Sequence, residues 1–350
     1  MNTRTLRRAG LLGLVAMGLA ATMLTAGPAN ASDSASASIV GRTLNIEGSG
    51  AADTIALGLD ADPNTLLVHF TDGTTEQFDR STFDSIDVSL RGGGDQFTGG
   101  GIPMSQTSRI DGGGGDDVIF GTAGDDVING RGGDDSIFGG AGNDTTLGGG
   151  GSDFVVGGTG HDTSSLGGGE DTFLWNPGDG SDDTDGGGGR DTLLFNGANL
   201  AEIMSLSAVG HTAVFTRNLG NIVMNNDKVE VLDLHALGGA DVVTVNDVIG
   251  TDMREADIDL SAAGDGGASD AAADLVTVNG TDQRDLVDVA AQGTQVDVSG
   301  LQPETLISGS ATADGDQLQV NTGDGNDRVT VDPGAQALIG VTVDLGPGQI

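Results

Sequence analysis

Between Gly112 and Leu174 the chain repeats one nine-residue phrase seven times without losing register, starting at Gly112, Gly121, Gly130, Gly139, Gly148, Gly157 and Leu166. The phrase reads glycine-glycine-x-glycine-x-aspartate-x-apolar-x with a few lapses. Its sixth place is aspartate in every copy: Asp117, Asp126, Asp135, Asp144, Asp153, Asp162 and Asp171. A unit this short cannot bury its apolar face alone and must stack on its neighbours, so the period dictates the architecture ahead of local propensity. One more copy, Gly186–Leu194 with Asp191 at its centre, follows an eleven-residue interruption from Trp175 to Asp185.

The phrase resembles the RTX (haemolysin-type) nonapeptide array of secreted bacterial proteins, a parallel β-roll loaded with Ca²⁺. The resemblance implies several calcium ions, about five for seven turns if each is sandwiched between units two repeats apart. It implies the sixth-place aspartates and Asp191 as ligands, with turn glycines beside them: Gly113, Gly115, Gly124, Gly133, Gly140, Gly142, Gly149, Gly151, Gly158 and Gly160.

The residue types suit that chemistry. Glycine enters left-handed backbone without steric cost, and leaves its carbonyl open to a cation. Calcium is a hard ion that takes roughly 6–8 oxygen ligands, carboxylate and carbonyl alike. After the aspartate, x-apolar-x predicts a short strand with its middle side chain inward. Those inward places hold Ile119, Ile128, Ile137, Thr146, Val155, Ser164 and Phe173, so the middle of the array is expected to pack less well than its start. One apolar side chain per nine residues cannot offset the cost of ordering them. Aspartates on rungs about 4.8 Å apart also repel by up to ~3.5 kcal/mol per pair at an effective dielectric near 20. A divalent ion removes the repulsion and ties the rungs together, and without it the segment is expected to be disordered. A disordered glycine-aspartate linker competes on composition, but a linker has no reason to hold aspartate at one phase.

Composition narrows the function. The chain has 350 residues, with 52 acidic and 14 basic side chains, no cysteine and one lysine, Lys228. Residues 1–31 read as a secretory leader: Arg4, Arg7 and Arg8, an apolar stretch, then Ala29-Asn30-Ala31. Its removal takes the formal charge from −38 to −41. That balance argues against nucleic acid or an anionic membrane as partner. No later segment is long and apolar enough to span a bilayer. An exported protein without disulfides needs another staple, and metal is the natural one.

Four histidines, His69, His161, His211 and His235, form no zinc motif, and His161 occupies a fifth place, expected to face solvent. No catalytic signature is visible, so the expectation is a secreted, non-enzymatic structural or surface-associated adhesive protein. Cell-surface polysaccharide or matrix is the candidate partner. The alternative is a polysaccharide lyase or epimerase built on a β-helix, disfavoured by the scarcity of cationic side chains.

The flanks predict strands. Residues 32–111 should enter or cap the solenoid, 112–194 form the roll, and 195–350 continue it as an irregular parallel β-helix, with a β-sandwich as the competing fold. In the last region Asp-x-Val-x-Val recurs at Asp241, Asp285 and Asp327, and related strands follow Asp274 and Asp316. Helical signals are poor, and 198–206 could form at most one short turn. The turns before Asp241 and Asp327 read either as further calcium corners or as glycine turns with a solvated aspartate.

Overall fold

The apolar triplets do form strands, and most run on into the glycines that follow, as in Ser136–Ala141 and Thr145–Gly150, while Val118–Phe120 stops short of them. Successive strands enter opposite sheets, so two phrases complete one turn of a solenoid. Parallel partners therefore lie eighteen residues apart: Ile128 beside Thr146, Ile137 beside Val155. The computed structural model describes residues 34–100 and 107–347, and the expected leader lies outside them. Across the described residues the chain builds two fifteen-stranded sheets, mostly parallel. It is an all-β parallel roll that passes without a break into larger, less regular coils.

The inward side chains sort by sheet. One sheet presents Ile110, Ile128, Thr146, Ser164 and Thr184, the other Ile119, Ile137, Val155, Phe173 and Leu193, and all are buried. The two weak core residues thus stack on one sheet, where their hydroxyls bond each other at 2.7 Å. Bulkier side chains on the opposite sheet fill the space. At the exit of the array Trp175 is fully buried, stacked on Phe195 at 4.1 Å, which meets Phe215 edge-on at 4.7 Å.

Beyond the array the coils grow by inserting three-stranded antiparallel meanders. Ile203–Val209, Thr212–Arg217 and Ile222–Asp227 form one, and Leu286–Gln292, Gln295–Ser299 and Glu304–Ser308 another. The outer strands of each rejoin parallel neighbours, so the solenoid continues where a sandwich would turn back.

Two sequence expectations change. Residues 198–206 make no helical turn; they run from a coil into strand Ile203–Val209. Among the described residues the α-helix is Pro333–Leu338, started by proline at a first-turn place and packed on Leu286–Gln292 and Gln295–Ser299. The Asp-x-Val-x-Val segments also divide differently. The strand after Asp241 pairs with those after Asp274 and Asp316 in one sheet, whereas those after Asp285 and Asp327 pair in the other. Strand similarity alone carries no information on which sheet a coil enters.

The buried hydroxyl pair gives a direct test of the core. Thr146→Val should strand the Ser164 hydroxyl and cost about 1–3 kcal/mol, while Thr146→Val with Ser164→Ala should recover most of it. Urea unfolding of the calcium-loaded protein reads both.

Candidate metal centre

Each strand is preceded by a sharp corner, and the sixth-place aspartates line these corners as two ladders. Along one edge the backbone N–H of each residue donates to the carboxylate one turn later, through Asp53, Asp95, Asp117, Asp135, Asp153, Asp171 and Asp191, at 2.7–2.9 Å. Asp191 N–H in turn donates to Glu230 at 2.8 Å. Along the other edge the same bond links Ser108 to Asp126 at 3.3 Å, then Asp126 to Asp144 and Asp144 to Asp162 at 2.8 Å, and Asp162 to Asp182 at 2.9 Å. These bonds use Oδ1. The second oxygen, Oδ2, is buried and accepts no hydrogen bond in Asp117, Asp135, Asp144, Asp153, Asp162, Asp171 and Asp191.

What surrounds that bare oxygen is backbone. A Cβ added at Gly112 would fall 2.5 Å from Asp117 Oδ2 and 2.9 Å from the Gly130 carbonyl. One added at Gly139 would lie 2.5 Å from both Asp144 Oδ2 and the Gly157 carbonyl. Carboxylate and carbonyl oxygens thus converge over the first glycine of the phrase, a place absent from the candidate set read from sequence. The second- and fourth-place candidates have a different task. Gly113, Gly115, Gly133, Gly140, Gly142, Gly149, Gly151, Gly158 and Gly160 all take left-handed backbone, with φ from 99° to 142°. Each stacks under a carbonyl of the previous turn, and a Cβ on any of them would come within 2.6 Å of that oxygen.

Two predicted residues behave otherwise. Gly124 is not left-handed; its N–H donates to Thr122 Oγ1 at 3.2 Å, though its carbonyl still faces Gly142. Asp126 keeps its rung but has both oxygens engaged, Oδ2 by the Thr122 N–H at 2.6 Å and Oδ1 by the Thr122 and Ser108 hydroxyls.

The sequence reading also missed a third series. The fifth place is not a free surface site: Asp134 N–H donates to Asp116, Ser152 N–H to Asp134, and Asn143 N–H to Asp125, at 2.7–2.9 Å. These bonds run opposite to the sixth-place ladder, so adjacent residues staple a rung to the turns on either side. The signal was present, since Asp, Asn and Ser fill most fifth places. His161 takes its N–H bond from this series, donating to Asn143 Oδ1 at 2.9 Å, and its ring is exposed as expected.

Burial is the main cause of the unusual acidity of the sixth-place carboxyls. It pushes Asp135, Asp144 and Asp191 up to about 7 and Asp153 to about 6; the ladder N–H bond pulls each down and neighbouring carboxylates push it up. Asp117, Asp126, Asp162 and Asp171 shift upward for the same leading reason. Among the described residues no three His, Asp or Glu side chains gather at one point. An ion here would be held by one or two carboxylates and by carbonyls, an all-oxygen set that fits calcium and not a softer metal.

Residues 111–146 and 147–173 match the family model of the RTX calcium-binding nonapeptide repeat. That segment is therefore a run of RTX calcium-binding repeats. No curated protein matches the chain.

A pH test follows from the raised carboxyls. Their folded-state values lie above the unfolded one, so the protonated form favours the folded state, fully so below the unfolded value. That advantage is lost as pH rises through about 6–7. In chelator, β-structure measured by circular dichroism should increase from pH 8 to pH 5. With calcium the trend should invert, because protons and metal compete for the same oxygens.

Proposed function

We propose that this is a secreted, non-enzymatic calcium-binding protein whose roll orders outside the cell when calcium fills the corners, with a structural or surface-adhesive role. The observation that carries the reading is the series of buried carboxylate oxygens with no hydrogen-bond donor, facing carbonyls of the next turn. Calcium would supply the missing positive charge at these points, held by the sixth-place aspartates other than Asp126 and by turn carbonyls. A buried carboxylate without a partner is costly, so metal free energy enters the folding equilibrium directly. Extracellular modules with such ligands bind at roughly 10⁻⁴–10⁻³ M, which suits loading after export and not before. Several linked sites make the response steep.

The non-enzymatic part rests on where polar groups go. His69, His211 and His235 each place Nδ1 within 3.0 Å of a polar partner, Thr75, the Gly250 carbonyl and Asn196. No helix among the described residues is long and apolar enough to cross a membrane. For the adhesive part, a shallow groove of 390 Å³ on one sheet is lined by Thr163, Asp183, Asp185, Thr212, Asn225 and Asp227. Hydroxyls, carboxylates and an amide there offer hydrogen bonds to a carbohydrate, with Asp185 paired to Lys228.

Calcium titration of the chelated protein should raise β-structure by circular dichroism and shift Trp175 emission, because that side chain becomes fully buried. Asp135→Asn and Asp153→Asn should each move the midpoint to higher calcium, whereas Asp265→Asn, outside the ladders, should not. A chain with identical spectra in chelator and millimolar calcium would sink the proposal. Saturable, calcium-dependent retention on neutral polysaccharide would separate adhesion from a purely structural role.

A further inference from the structure

The corners are of two kinds, and through the roll the backbone of the second residue separates them. Where that residue has ordinary backbone, its N–H points at the sixth-place carboxylate and closes the corner. Ser49 does this to Asp53, Thr122 to Asp126 and Thr281 to Asp285, at 2.5–2.9 Å. Where it is left-handed, the N–H turns away. All nine corners with a bare aspartate Oδ2 among the described residues are of this kind, from Arg91 at φ 73° to Gly187 at φ 94°.

Two of the nine lie outside the matched repeats. Asp182 sits in Pro177-Gly178-Asp179-Gly180-Ser181-Asp182, which is a phrase in register once the two residues Trp175-Asn176 are set aside. Its strand pairs twenty residues on, Thr163 with Asp183, as a full turn plus two requires. Asp182 is 1% exposed, its Oδ1 takes the ladder bond from Asp162, and its Oδ2 has no partner. Asp179 beside it is already engaged by the Asn176 N–H at 2.7 Å. Asp95 is 2% exposed and in the same state, behind a left-handed Arg91 in the place where the array has glycine or, once, the left-handed Arg131.

Resting on the calcium reading above, we infer that left-handed backbone at the second place, together with a buried Oδ2 that nothing bonds, marks a corner as a divalent-cation site. The Asp95 and Asp182 corners are then cation sites beyond the repeat array, and the Asp126 corner within it is not. In the C-terminal half, Asp316 and Asp327 are closed instead from one residue earlier, by the Ala311 N–H and the Thr322 hydroxyl, and the Asp327 corner fails the second condition although Gly323 is left-handed at φ 73°.

Trp175 makes the Asp182 corner directly observable. Its indole N–H donates to the Gly180 carbonyl at 2.7 Å, and the chain has one tryptophan and no tyrosine. Terbium added to the full chain should therefore give emission sensitised through Trp175. Asp182→Asn should abolish that emission and lose one bound calcium by equilibrium dialysis, and Asp95→Asn should lose one calcium while keeping the emission. Thr122→Gly removes no carboxylate, leaves the ladder intact and should gain one calcium, which Thr122→Gly with Asp126→Asn should lose again. Wild-type emission and calcium count in Asp182→Asn, or no added ion in Thr122→Gly, would overturn the inference. Circular dichroism on the same samples keeps the outcomes apart, since calcium-driven folding of the wild type stands or falls independently of these counts.

Discussion

One carboxylate with two unlike oxygens governs this molecule. Oδ1 takes the N–H of the preceding turn, which fixes the eighteen-residue register and favours the charged form. Oδ2 is driven into the wall of the solenoid with nothing to accept from, which disfavours that same charge. The geometry that aligns the rungs therefore creates the electrostatic cost, and no rearrangement of the side chain relieves one without losing the other. On the proposed reading a cation would satisfy both demands at once, and coil order and metal binding would then be two descriptions of one equilibrium.

The same conflict is settled differently where the array stops. Ser49 closes a corner ahead of the array with its own N–H, and Thr122 does the same within it, at the first aspartate of the second ladder. At the exit Glu202 takes the sixth place; Ala198 N–H bonds its Oε2, and the Arg217 guanidinium pairs with Oε1 in a buried ion pair. That guanidinium also lies 5.2 Å from the Trp175 ring centroid. A fixed organic cation thus stands at the boundary where the metal-type corners end, and the aromatic stack packs against it. Coils beyond the array are held by protein donors and by a wider apolar core that includes Phe215, Met224 and Leu234.

The repeat made the roll legible because a strict period carries both the strand phase and the aspartate phase. Inward residues from Ile119 to Phe173 were readable for that reason. Other features were not, because they depend on the turn next door. Nothing in Thr122 alone says that it caps Asp126 until its backbone sign is known. Asp182 was hidden by proline at the first place and by two extra residues, and the fifth-place series looked variable because three residue types serve one hydrogen bond. In the C-terminal half the Val-rich strands resemble one another whichever sheet they join, so their partners could not be sorted by motif.

Insertions in such a fold must keep direction and facing, and this chain does so at two scales. Side chains alternate with period two within a strand, while inward places recur every nine residues, so the corners reset the facing from one strand to the next. Trp175-Asn176 adds two, and Thr184 still points inward between outward Asp183 and Asp185. At the level of strands, a hairpin would return the chain in the wrong direction for parallel pairing, whereas three strands restore it. Both interior meanders have three, and each hands its outer strands to parallel neighbours. Irregular coil lengths past Asn196 are thus compatible with an unbroken pair of sheets, because what must be conserved from turn to turn is direction and facing, not residue number.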